Sequence, residues 1–113
     1  MEASEKIAVV EKYVRAFAES DMSIIEDIFA EDAVVHDPVG SEPHVGIDAV
    51  MGFYRRTVPG PATLELTGPV RCAGNSAAFP FIVVAGDLRI EIIDVFEFNE
   101  AGKVAAMRAY WSM

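Results

Sequence analysis

The sequence predicts an α+β fold: three helices packed on one concave face of a curved, mainly antiparallel sheet. Up to Thr57 the apolar residues recur at helical spacing, and after Pro59-Gly60-Pro61 the chain turns β-rich. The β-rich half falls into four stretches with short turn-forming gaps, which implies antiparallel neighbours. With 113 residues, 52% of them hydrophobic, the chain is expected to form one globular domain, 1–113.

A first helix is expected over residues 4–19, where Ile7, Val10, Tyr13 or Val14, and Phe17 form a stripe with charges between them. Ser4 suits its N-cap. Asp21 suits the cap of a second helix to about Ala30, burying Met22, Ile25 and Ile28 or Phe29. Ala33–His36 reads as a short extended segment, ending where Pro38 pushes Asp37 towards extended backbone. Gly40–Gly46, with Pro43 inside it, reads as loop. A third helix fits Ile47–Thr57, with Val50, Phe53 and Tyr54 on one side, and Pro59-Gly60-Pro61 ends it. Strands are expected at Ala62–Cys72, Ser76–Ala85, Leu88–Phe98 and Lys103–Trp111. Gly74-Asn75, Gly86-Asp87 and Asn99–Gly102 connect them.

The most informative stretch is Ile90–Phe98. Period-two alternation puts Ile90, Ile92, Asp94, Phe96 and Phe98 on one face, and Glu91, Ile93, Val95 and Glu97 on the other. Asp94 is the only polar group among four large hydrophobes. If that face is interior, an ionised carboxylate loses its hydration, and a raised pKa with a neutral acid is the usual escape. Two readings follow: a structural Asp satisfied by a backbone amide or buried water, or a neutral acid able to donate a hydrogen bond. The opposite face is not wholly polar, and a sheet apolar on both sides needs a second cover. A homodimer through the face bearing Ile93 and Val95 supplies one.

A balance of 9 basic and 18 acidic residues leaves a net charge of −9, which repels nucleic acid and anionic lipid. The single cysteine, Cys72, excludes an internal disulfide. No apolar run approaches a membrane span and the N-terminus is not a basic secretory start, so a cytoplasmic protein is expected. There is no phosphate-binding glycine loop and no metal-ligand spacing. His36 and His44 sit in loop-like sequence, where such residues are more often solvent-facing than ligands. What remains for chemistry is a set of acids and phenols: Asp37, Asp94, Tyr13 and Tyr54. Asp37 lies in a more polar setting than Asp94, so one can stay ionised while the other stays neutral. Such a pair suits proton removal next to a carbonyl. By itself, an Asp-Pro pair is more often a turn device.

Several separated blocks, in order along nearly the whole chain, resemble the bacterial steroid Δ5-3-ketoisomerases of the nuclear-transport-factor-2-like, cone-shaped fold. They are FAEDAVVHDPVGSEP (Phe29–Pro43), GFY (Gly52–Tyr54), LTGPVR (Leu66–Arg71), IDVFEFN (Ile93–Asn99) and GKVAAMRAYW (Gly102–Trp111). The resemblance implies Asp37 as general base, with Tyr13 and a protonated Asp94 as oxyanion-hole donors. It also implies that Tyr54 supports Tyr13, and that Phe81, Met107 and Trp111 line an apolar steroid pocket without cofactor or metal. Other proteins of this fold, polyketide cyclases and epoxide hydrolases, share the walls with different chemistry, and a non-catalytic ligand-binding dimer is a third reading. The chain departs from the isomerase pattern at Phe29, where some members have a further tyrosine, and at His36, where an acid is common. The Val83–Arg89 hairpin is short, and the chain stops soon after Trp111. These departures bear on the pocket mouth and the substrate range.

Overall fold

The structure is a computed structural model that describes residues 1–57 and 62–112. The Pro59-Gly60-Pro61 stop lies outside those residues. Helix α1 spans Ala3–Glu19, and its N-cap is Glu2 rather than Ser4. The Glu2 side chain accepts from the backbone N–H of Glu5, while the Glu5 carboxylate accepts the Glu2 N–H at 2.8 Å. This reciprocal pair satisfies two free amides, where a serine cap satisfies one. Helix α2, Met22–Ile28, is capped by Asp21, which accepts from Ser23 N at 3.0 Å.

Phe29 and Ala30 do not continue that helix. They open strand β1, Phe29–His36, whose first residue pairs with Val104. Both are buried there, so strand pairing and burial override local helical spacing. The expected Gly40–Gly46 loop contains a two-residue strand, β2 (His44–Val45), antiparallel to β1. Helix α3 covers Ile47–Thr57 as expected, but it buries Val50, Met51 and Tyr54, leaving Phe53 half-buried.

The expected Ala62–Cys72 strand is two strands, β3 (Thr63–Leu66) and β4 (Arg71–Ala73). Between them Pro69 has no N–H to give a ladder, and Gly68 is pressed close to the Pro80 ring. The remaining strands are β5 (Ser76–Ala85), β6 (Leu88–Phe98) and β7 (Val104–Tyr110). All strands join one sheet in the order β2-β1-β7-β6-β5-β3, with β4 also on β5. Among the described residues β1 and β7 are the only strands paired in parallel. The register shifts between Phe29 and Val34 of β1 and between Glu97 and Phe98 of β6 interrupt the regular ladder at those points.

The inner sheet face, including Val35, Phe79, Phe96, Val104 and Met107, packs against Val10, Tyr13, Phe17, Val50 and Tyr54. Lys6, buried on α1, donates its Nζ to Gly74 O at 2.6 Å and ties the helix to the β4–β5 turn. Among the described residues no helix is long and apolar enough to cross a membrane.

Candidate active site

Tyr13 and Tyr54 stand on the buried faces of α1 and α3, 41 residues apart in the chain, and their hydroxyls meet at 2.9 Å. Burial drives both phenols well above their ordinary 10.0; the nearby Tyr54, Asp94 and Asp37 add to the effect at Tyr13, and the two acids to that at Tyr54. Phe29 sets its ring beside Tyr54, centroids 5.8 Å apart, and brings no hydroxyl to extend the pair.

Asp94 is 1% exposed. It lies opposite Phe79 on β5 and Ala109 on β7, with Phe96 and Phe98 following on its own face. Among the described residues neither of its carboxyl oxygens has a hydrogen-bond partner. A purely structural Asp held by a backbone amide is therefore not what this strand contains. Burial pushes the carboxyl well above the usual carboxylate range; the Asp37 charge adds to that, and the Tyr13 hydroxyl pulls the other way.

Asp37 follows β1 and is half-buried; its Oδ1 accepts the indole N–H of Trp111 at 2.6 Å. The parallel pairing of β1 with β7 makes this contact, since His36 lies opposite Arg108 and Val39 N bonds Ala109 O at 2.9 Å. Burial raises the Asp37 pKa, while the Trp111 bond and the charge of His44 lower it. The carboxyl thus sits partly out of water but is held by one directed donor.

One cavity of about 290 Å³ brings Tyr13, Asp37, Tyr54, Phe81, Asp94 and Trp111 together. Its other walls are mostly apolar: Phe17, Phe53, Val83, Ile90 and Ile92, with Ala85 and Leu88 of the β5–β6 hairpin beside them. A wider open groove of about 840 Å³, lined in part by Val39, Arg89 and Tyr110, contains none of the paired acids and phenols. Met107 is not in the cavity lining. It is wholly buried opposite Phe96, one same-face step deeper than the Asp94–Ala109 pair, and is a core residue. His36 faces away, because alternation on β1 turns Val35 inward and His36 to the Arg108 side. The added wall residues had partial signals in the sequence. Ile90 and Ile92 share the face of Asp94, and Phe17 follows Tyr13 by one helical turn. The Trp111 donor and the approach of His44 had none.

A neutral phenol pair, a desolvated acid with unoccupied oxygens and a second acid share a small apolar space. Such a set can move a proton and bind a developing negative oxygen. A helix-backed, mostly antiparallel sheet closing over such a cavity defines a small-molecule site of the cone-shaped α+β type.

Residues 10–107 match the SnoaL-like domain. The chain belongs to this family, within the nuclear-transport-factor-2-like fold. It is 35% identical to a steroid Delta-isomerase of Nocardioides simplex, over 97% of this chain and 92% of that one. It is also 27% identical to the epoxide hydrolase LasB of Streptomyces lasalocidi, over 90% of this chain but 39% of LasB. A solved structure of SalBIII, an epoxide hydrolase/cyclase-like enzyme with a role in pyran ring formation in the polyether salinomycin, superposes with a TM-score of 0.88. That match has 26% identity and covers 99% of this chain and 94% of SalBIII. The relatives are thus enzymes of one superfamily with different chemistries.

Proposed function

We propose that the protein is a steroid Δ-isomerase, converting 3-oxo-Δ5-steroids to 3-oxo-Δ4-steroids by intramolecular proton transfer. The observation that carries this reading is Asp94: a buried carboxyl with both oxygens unpartnered, in the same apolar cavity as Tyr13 and Asp37. Asp37, as carboxylate, takes a proton from the carbon between the carbonyl and the double bond. The C–H electron pair moves into a dienolate, whose oxygen accepts hydrogen bonds from the Tyr13 hydroxyl and the neutral Asp94 acid. Asp37 returns the proton two carbons further along, leaving the conjugated enone and a regenerated base. Tyr54 orients Tyr13 through the 2.9 Å hydroxyl contact, and Phe81, Trp111, Ile90 and Ile92 meet the steroid body. No cofactor is called for, because the carbonyl acidifies the proton and the two donors stabilise the charge.

The test is a spectrophotometric assay with a Δ5-3-ketosteroid, following the conjugated enone. Asp37→Asn should keep the fold and steroid affinity while turnover falls by about 10²–10⁴, the range for loss of a positioned base. Near wild-type turnover in that variant removes Asp37 from the role. The likeness to SalBIII and LasB supports a second reading, epoxide opening or cyclisation in the same cavity. Turnover of a hydroxy-epoxide without enone formation from the steroid decides for it.

The same reading includes a homodimer through the outer sheet face. Ile93 and Tyr110 are paired there and about half exposed, and Val95 lies on the same side. An apolar sheet face of this kind is covered at least cost by a second copy.

A further inference from the structure

His44 is the one histidine that the fold turns towards the site. It pairs with Val35 across β1 and β2, so its side chain shares the inner face, and its ring stacks on Phe53 with centroids 4.4 Å apart and planes 27° from parallel. Phe53 is itself a wall of the cavity that holds Asp37. The backbone fixes this approach at the C-terminal end of β2. Gly46 N donates to Ala33 O at 2.8 Å, and Gly46 takes a left-handed φ of 87° that favours glycine. The β1–β2 register thus sets His44 on the inner face, stacked on the cavity wall Phe53.

We propose that His44 is the counter-charge of Asp37, a positioning residue that sets the pH range over which Asp37 stays ionised. The proposal rests on Asp37 being the base. The physical need is clear from the cavity. A carboxylate partly removed from water tends to take up a proton, and the Trp111 N–H is a neutral donor that opposes this only in part. The other ionisable groups of the cavity are Asp94 on β6, Tyr13 on α1 and Tyr54 on α3, none of which can supply a positive charge, and Arg108 on β7, opposite His36 on the outer face, is paired with Glu97 at 3.3 Å. Among the described residues the cationic influence on Asp37 comes from His44. The elements packed against β2 are β1 and α3. Their ionisable groups are Glu31 and Asp32, both exposed, His36 on the outer face, and on α3 the exposed Asp48, Arg55 and Arg56 besides Tyr54. A positive charge at His44 opposes proton uptake by the desolvated Asp37 carboxylate and so extends the acid side of the activity profile.

The experiment compares wild type, His44→Gln and His44→Arg. Asp37 is followed by carbon NMR of its labelled carboxyl, and kcat/KM for a Δ5-3-ketosteroid is followed against pH. In His44→Gln the Asp37 titration and the acid limb should both move to higher pH. Each pH unit of displacement reads as about a tenfold loss of kcat/KM at a fixed pH on that limb. His44→Arg, which keeps a charge and can stack on Phe53, should restore the wild-type position. An Asp37 titration that is the same in all three proteins overturns the proposal, whatever the turnover. The carboxyl signal needs no substrate. A shifted titration in a protein without isomerase activity therefore supports the charge pairing while removing the isomerase reading.

Discussion

Replacing Asp94 by asparagine separates a neutral buried acid from an ionised one without reference to catalysis. In the unfolded chain this carboxyl titrates near its ordinary 3.8, and in the fold burial holds it well above that. Between those two limits the unfolded state gives up a proton that the native state keeps. Unfolding therefore releases protons, and the native state loses stability as pH rises, by about 1.4 kcal/mol per pH unit. Below 3.8 both states hold the proton and the contribution is constant. The asparagine amide has no such proton, so the slope from this residue vanishes in the variant. Other acids, including Asp37, titrate in both proteins and largely cancel in the difference. The stability of Asp94→Asn minus that of wild type should thus rise with pH above 3.8, by about 1.4 kcal/mol per pH unit for as long as the native carboxyl keeps its proton. An unsatisfied amide costs about 1–3 kcal/mol, but at every pH alike, so it moves the intercept and not the slope. Urea unfolding at fixed protein concentration and stepped pH measures it. A difference independent of pH means that Asp94 is ionised in the native protein, and its role as a neutral donor falls with it.

Trp111→Phe keeps an aromatic wall but removes the N–H that bonds Asp37. The acid limb of kcat/KM should move to higher pH, with kcat on the plateau much less changed, and a profile superposing on wild type refutes the positioning of Asp37 by Trp111. Asp94→Ala should lose about 10²–10³ in turnover, as expected for one oxyanion donor, and more than Asp94→Asn, which keeps a neutral donor. Equal losses in the two variants place the donor elsewhere. Val95→Lys puts a charge on the outer sheet face and should shift sedimentation equilibrium towards monomer; an unchanged dimer locates the interface on another surface.

Much of this protein is written in local patterns. Helix α3 and strands β5 and β6 follow from short-range periodicity and turn residues, because each depends on side chains only a few positions apart. The isolation of Asp94 among hydrophobes is legible for the same reason, since alternation along one strand needs no knowledge of its neighbours. The pairing of β1 with β7 is different. It joins segments about 70 residues apart in the chain, and no local pattern encodes which strands meet or in which direction. That pairing turns Phe29 and Ala30 from helix to strand, and it carries Trp111 to Asp37. The β1–β2 register likewise decides that His44, and not His36 beside the base in sequence, lies on the inner face. Met107 shows the converse limit: alternation makes it inward-facing, but only the depth of the packed helices separates cavity wall from core. Residue type and spacing thus foretold which groups could do chemistry. Long-range strand pairing, driven by burial of both sheet ends, decided which of them meet.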